Sequence, residues 1–344
     1  MAAVRQTHAI AVRAANPEEG TAVSGLWREL WDAHEAWGGY AGTRDARVYD
    51  QLAQRLAEDA RVRGGQPILG RHIHLVAVAE QGVVGQVEGW FERHGVDDAT
   101  PFTCEVRSLI VSSQARTRGA GRALLEGLAA VARQLSRGAP VVLAAEVLEP
   151  NPAHQFYANV GYAPVSWTAR IGTDGAGDAQ PFDPYVARVA TPNDALPIAL
   201  LDPALAARRR AQGDIRFDRP RAVDATFVGA LAAHLARPAA SDQSELVAVD
   251  HSGMVRASAS LTVMSLDPPF LPARRGLLGR FAMDPALDQR PLIGALVRLG
   301  RRVALLRGAS TLELTDLDPP GHPLQEGALR MGAAPWSRIV ERFA

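Results

Sequence analysis

A strand that runs through a glycine loop into a helix is a common way to hold phosphate. Residues 109–125 have that form: Leu109-Ile-Val-Ser-Ser-Gln-Ala-Arg116-Thr-Arg-Gly119-Ala-Gly121-Arg-Ala-Leu-Leu125. Successive backbone N–H groups at a helix N-terminus make an anion cradle, and glycine lets the anion approach closely. The spacing is R-x-x-G-x-G, which suits a pyrophosphate and also occurs as a plain strand-to-helix turn. No glycine stands three residues beyond Gly121, so a dinucleotide fingerprint fits worse. About 30 residues further on, Asn151-Pro-Ala-His-Gln-Phe156-Tyr157-Ala-Asn-Val-Gly161-Tyr162 adds a phenol, Tyr157, beside a second aromatic.

Particular elements must position these groups. His8 to Arg13 reads as a strand, and Asn16-Pro17-Glu18-Glu19 opens a helix running to about His34. A second helix covers Arg44 to Arg61. Ile73 to Ala79 and Val83 to Phe91 form a hairpin turned at Gln81-Gly82, and Thr103 to Val111 is the strand that enters the loop. An amphipathic helix over Gly121 to Leu135, a strand over Val141 to Val147 and a short helix from Pro152 to Val160, stopped at Gly161, complete the unit. Gly172 to Pro184, rich in Gly, Asp and Pro, reads as a linker.

Beyond the linker the landmarks recur. Gln81-Gly82 is matched by Ser252-Gly253, Asn151-Pro152 by His322-Pro323 and Gly161 by Gly332, all at an offset of 171. Leu109-Ile110-Val111 is matched by Phe281-Ala282-Met283 and Leu124 by Leu296 at 172. Val186 to Asn193 echoes the opening strand and cap. Five landmarks in order identify an internal duplication, and the expected division is 1–171, a linker 172–184, and 185–344.

Composition narrows the functions. Formal net charge is zero over 344 residues, without the basic patch of a nucleic-acid binder. All 37 basic residues are arginine. Without lysine a Walker A loop or a Schiff base cannot be built, so P-loop phosphoryl transfer and pyridoxal catalysis drop out. Cys104 is the single cysteine, and no stretch approaches a membrane span. The segment MAAVRQTHAI lacks the apolar run of a secretory signal. A cytoplasmic protein, monomer or homodimer, is expected. His72 and His74, two apart on a strand, have no second ligand cluster, so no metal is expected.

The two motifs together resemble the GNAT acyltransferase superfamily, whose helical segment reads N-x-x-A-x-x-F-Y-x-x-x-G-[FY]. The resemblance implies an α/β fold: two tandem GNAT-like domains, each a mixed, mostly antiparallel sheet with a splayed central parallel strand pair and flanking helices. It implies acetyl-CoA as co-substrate. Arg116, Thr117, Arg118, Gly119, Ala120, Gly121 and Arg122 would bind the pyrophosphate, and Leu109, Ile110 and Val111 the pantetheine arm. Asn151 would bind pantetheine or cap the short helix. The acceptor would be a primary amine of a small molecule or peptide, attacking in a ternary complex.

Such a transfer needs a neutral nucleophile, a donor for the oxyanion and an acid for the thiolate. Tyr157 matches the family's acid, and a backbone N–H near Leu109 or Ile110, at a bulge, would serve the oxyanion. Glu105, eleven residues before Arg116, stands where one branch of the family places its base, and equally reads as a surface acid paired with Arg107. Glu88 and Glu92 are the reserves. For the acceptor, Asp32, Glu35, Trp37 and Tyr40 at the end of the first helix suit a cation, although the aromatics at Trp27 and Trp31 also read as core.

The second copy loses these features. The offsets put Asp288 at Arg116, Pro291 at Gly119, Ile293 at Gly121, Leu277 at Glu105 and Ala328 at Tyr157. It reads as a degenerate copy. Two rival functions remain: an aminoglycoside-type antibiotic acetyltransferase, suited by the acids near Asp32, and a non-catalytic acyl-CoA sensor.

Overall fold

The computed structural model describes residues 10–93, 101–116, 118–174, 184–214, 217, 222–236 and 242–344. The N-terminal half runs β1 (Ala11–Arg13), α1 (Gly20–Ala36), α2 (Ala46–Arg63), β2 (Ile68–Leu69), β3 (His72–Ala79), β4 (Gly82–Arg93), β5 (Phe102–Val111), α3 (Ala120–Ser136), β6 (Val141–Leu148), α4 (His154–Asn159) and β7 (Ala163–Gly172). The C-terminal half repeats the series: β8 (Val186–Val189), α5 (Ala195–Ala211), α6 (Ala225–Leu235), β9 (Gln243–Val249), β10 (Val255–Ser265), β11 (Arg274–Met283), α7 (Gln289–Leu306), β12 (Thr311–Leu317), α8 (Pro323–Arg330) and β13 (Ala334–Phe343). This is the expected tandem α/β fold. Most of the expected linker, and the first residues of the expected opening strand, lie outside the described residues.

The duplication extends to individual bonds. Arg13 donates to Glu19 at 2.6 Å while Glu19 accepts the Asn16 N–H at 2.7 Å. In the second half Arg188 donates to Asp194 and Asp194 accepts the Thr191 N–H, both at 2.7 Å. All three positions stand 175 residues apart, and both clusters clamp the turn into the first helix of their half.

The strands form one sheet in the order β1-β3-β4-β5-β6-β13-β7-β12-β11-β10-β9-β8, with β2 on the side of β3. Pairing is antiparallel except for β5 with β6 and β11 with β12. The halves exchange their last strands: β13 pairs with β6, β7 pairs with β12, and β7 and β13 pair with each other at the centre. Their side chains follow the backbone. Ala169 and Ile171 of β7 pack into the core of the second half, and Val340 of β13 into that of the first.

Helix α3 seats on the first sheet through Leu124, Leu125, Leu128, Ala129 and Ala132, all fully buried, at the spacing of one apolar face. The opposite face of the sheet carries α1 and α2, held by Val23, Leu52 and Leu56 against Val76. The sheet between them is where the chemistry-bearing loop emerges.

Candidate active site

Parallel pairing of β5 with β6 runs from Phe102↔Val141 to Val106↔Ala145 and stops there, while both strands continue. Past that point the strands splay, as expected. On its other side β5 carries a bulge: Gln86 faces Ile110 and Glu88 faces Arg107, so Ser108 and Leu109 together oppose Val87. Ser108 has φ of 49°, the left-handed conformation that takes up the extra residue. The bulge thus falls within a residue of the position expected, and β5 past Val106 has its main-chain groups facing the opening rather than β6.

The opening is a cavity of about 690 Å³. Its lining includes Arg116, Gly119, Ala120, Gly121 and Arg122 of the loop and first turn, Leu109, Ile110 and Val111 of β5, and Asn151, Phe156 and Tyr157 at α4. The structure therefore brings together Tyr157 and every sequence-assigned cofactor residue except Thr117, which lies outside the described residues, and Arg118, which is exposed beside the loop. Gly119 adopts φ of 86° as the residue before α3, a conformation that costs a side-chain-bearing residue about 1 kcal/mol or more. It turns the chain so that the first-turn N–H groups of Ala120, Gly121 and Arg122 face the cavity end without helical partners. A side chain at Gly121 would press on Phe156 at 3.2 Å. Asn151 accepts the Ala153 N–H at 2.9 Å, so its side-chain oxygen caps the turn into α4.

Tyr157 is nearly buried, edge-on to Phe156 and Tyr162, and its hydroxyl has no hydrogen-bond partner among the described residues. Burial, with Tyr162 alongside, pushes the phenol well above its ordinary range. It remains a neutral proton donor aimed into the cavity.

Other sequence assignments fall elsewhere. Glu105 is half exposed and paired with Arg107 at 2.7 Å, outside the cavity lining. It sits on the closed part of the β5–β6 ladder, opposite Ala144. Asp32 and Glu35 are both held by Arg44, at 2.5 and 3.0 Å, on the surface. Tyr40 donates to Glu313 at 2.5 Å, in a cluster where Glu313 also holds Arg170 at 3.0 Å and Arg275 at 3.1 Å; burial and Glu313 push the Tyr40 phenol up to about 12. That cluster ties the halves together. Glu92 accepts from Trp90 and Arg71. Trp37 does line the cavity. Glu88 lies beneath the bulge near His72; burial opposes its ionisation, but hydrogen bonds from His72 and Ser108 and the charges of His72 and His74 hold it below the usual carboxylate range. Among the described residues no group of three metal-ligating side chains occurs.

Sequence reasoning missed Glu146. It is the first residue of β6 past the splay and lines the cavity, as do Leu30, Ala33 and His34 of α1 and Trp37 just past its end. Protein surrounds it, yet the cavity keeps its side chain open to solvent. Ser337 of β13 donates to it at 2.5 Å, and burial, moderated by that bond, pushes the carboxyl up. The available signal was an acid in an otherwise apolar central strand, V-V-L-A-A-E-V-L.

The corresponding opening in the second half is plugged. Asp288 caps α7 by accepting the Arg290 N–H, Pro291 has no N–H to offer, and a side chain at Gly327 would collide with Ile293. Bulk has thus moved from the position of Phe156 to that of Gly121. The bulge N–H of Arg280 is taken by Asp316 at 3.2 Å.

A model of the acetyltransferase (GNAT) family matches residues 27–162. No curated protein matches. Among solved structures, a GCN5-related N-acetyltransferase from Sphaerobacter thermophilus is similar over 97% of this chain and 95% of that one, at 17% identity and a TM-score of 0.56. A GCN5-related glucosamine N-acetyltransferase region of a fungal multi-domain GH3 β-N-acetylglucosaminidase matches over 97% of this chain and 38% of that one, at 14% identity and a TM-score of 0.55. At such identities the likeness is one of fold. The match to the GNAT acetyltransferase family thus lies in the N-terminal half, where it takes in the splayed strands, their loop and α4, and the same element series is repeated after it.

Proposed function

We propose that the protein moves an acetyl group from acetyl-CoA to a primary amine of a small molecule or peptide, by direct attack in a ternary complex in the N-terminal half. The observation that carries this reading is the cavity between β5 and β6, lined both by the first turn of α3, whose N–H groups have no intrahelical partners, and by a neutral buried phenol. The N–H groups of Ala120, Gly121 and Arg122 would hold the pyrophosphate, with Arg116 and Arg118 adding charge at the rim. The edge of β5 from Leu109 to Val111 would pair with the pantetheine amides. A bulge N–H near Leu109 would meet the oxyanion, a preorganised donor of the kind worth about 3 kcal/mol in acyl transfer. Tyr157 would give its proton to the departing thiolate.

Calorimetry with acetyl-CoA tests the reading. One site per chain is expected for the wild type and none for Gly119→Pro, because proline cannot adopt the φ of 86° that the loop requires. Two sites would mean that the second opening works as well, and no binding by the wild type would end the proposal.

A further inference from the structure

Among the described residues two acids line the cavity, Glu29 and Glu146. Glu29 is at the exposed mouth and accepts the Ser113 N–H at 3.3 Å. Glu146 is beside the point where β5 and β6 part. Its hydrogen bond comes from Ser337, and among the described residues it has no ion pair. By contrast, the buried acids Glu313, Asp214 and Asp318 are each matched by arginine: Glu313 by Arg170 and Arg275, Asp214 by Arg209, Asp318 by Arg208. The Glu146 side chain is open to the cavity and carries no ion pair of its own among the described residues, so a cationic ligand entering the cavity meets a carboxylate free to pair with it. The cavity lining that α1 and the paired part of β5 contribute is largely apolar, with Leu30, Ala33, Trp37 just past α1 and Val106, and burial lowers the pKa of His34 among them. The acids that would greet a polycation, Asp32 and Glu35, are bound to Arg44 and off the cavity.

From this arrangement we infer that the acceptor is a primary amine with one positive charge on an apolar body, that Glu146 receives its ammonium group, and that Ser337 of the second half aims the carboxylate. The inference rests on the acetyl-transfer reading above. Glu146 takes one proton from the ammonium, and the freed lone pair forms the C–N bond to the thioester carbonyl carbon. As the C–S bond breaks, Tyr157 protonates the sulfur, and the second proton lost from nitrogen returns through solvent to the Tyr157 phenolate. Glu146 releases its proton to solvent, so the net products are the amide, the CoA thiol and one proton. The second half is thereby part of the site although it holds no cofactor of its own.

The test follows CoA thiol release by the full chain with 2-phenylethylamine, hexylamine, spermidine and kanamycin. The two monoamines should exceed the two polycations by about tenfold or more in kcat/KM. Glu146→Gln should lower monoamine turnover by about 100-fold with acetyl-CoA affinity unchanged by calorimetry, which also shows that the variant folds. Glu146 is faced by Ser337, by Glu313 and Arg275 from the second half, by Glu105 from β5 and by His34 across the cavity. Removing the Ser337 donor favours the protonated carboxyl, so Ser337→Ala should move the acidic limb of kcat/KM to higher pH. Wild-type acetyl-CoA binding combined with unimpaired turnover by Glu146→Gln, with preference for a polycation, or with no monoamine turnover would overturn this inference alone; absence of acetyl-CoA binding would instead remove the reading beneath it.

Discussion

Arg208 donates to the main-chain carbonyl of Phe281 at 2.6 Å, and so occupies in the second half the strand edge that Leu109 leaves open in the first. Helices α1 and α5 are both 17 residues long and stand 175 residues apart. At that spacing Ala33, His34 and Trp37, which wall the cavity, correspond to Arg208, Arg209 and Gln212. The latter three reach inward: Arg208 pairs with Asp318 at 3.2 Å, Arg209 with Asp214 at 2.7 Å, and Gln212 donates to Asp318. A duplicated cleft has been converted from a binding site into an ionic core.

Removing Arg208 should therefore weaken the protein without opening a second site. Asp318 is fully buried and would lose its guanidinium partner, a change that costs about 3 kcal/mol where a buried pair is broken. The urea midpoint of Arg208→Ala should fall accordingly. Calorimetry should still find one acetyl-CoA per chain, because Asp288 and Pro291 continue to deny the pyrophosphate a cradle. A second binding event in this variant would show that the plug alone silences the copy.

The Tyr157 hydroxyl makes no bond that holds the fold, so its loss should be felt in catalysis. Tyr157→Phe should reduce kcat by about 100-fold, the low end for a general acid, with the melting temperature and acetyl-CoA affinity close to wild type. Because burial raises the phenol above its ordinary value, Tyr157 stays protonated through the alkaline range in which enzymes are assayed. The wild-type alkaline limb should then be unchanged in the residual activity of the variant. A large loss of stability would assign Tyr157 to packing.

Features that constrain the backbone were legible in the sequence. Gly82 and Gly161 have φ of 103° and 87°, and Gly253 and Gly332 repeat the pattern in the second half; glycine at such turns leaves a mark that spacing can find. The exchange of β7 and β13 left no such mark, because an apolar alternating run reads as a strand whichever neighbour it joins. Glu105 illustrates a related limit. Nothing local says where two strands separate, and that point decides that Glu146 rather than Glu105 looks into the cavity. Asp32 and Glu35 carry suitable charge for an amine, yet Arg44, nine or more residues away in sequence, neutralises both.

Acid should loosen the entry to the second half. Arg188, followed by the two Thr191 bonds, holds the Asp194 carboxyl down at about 2, against an ordinary value of 3.8. A depressed carboxylate contributes stability that is present above the unfolded value and is lost as pH falls through the folded one. That contribution should disappear between about pH 4 and pH 2. Asp194→Asn gives it up at every pH, so the drop in melting temperature from pH 5 to pH 3 should be smaller in the variant than in the wild type. Parallel pH dependence in the two proteins would mean that other carboxylates govern acid unfolding.

Strand exchange makes the halves mutually dependent. Without residues 184–344, β6 loses β13, which pairs with it from Ser337↔Leu148 to Phe343↔Val142, and β7 loses β12. The open edges would expose a row of unpaired main-chain groups in the middle of the molecule, the condition that drives aggregation. The first half alone also leaves uncovered the β7 side chains that the second core buries, Ala169 and Ile171, and a large apolar side chain left exposed forfeits about 1.5–3 kcal/mol of burial. Residues 1–174 and 184–344 expressed singly should therefore be insoluble, whereas the two co-expressed should associate and bind acetyl-CoA. Deleting only residues 334–344 should abolish binding too, since the partner strand of β6 goes with them. A soluble, acetyl-CoA-binding fragment 1–174 would show that β7 can fold back against β6 and that the first half is self-sufficient.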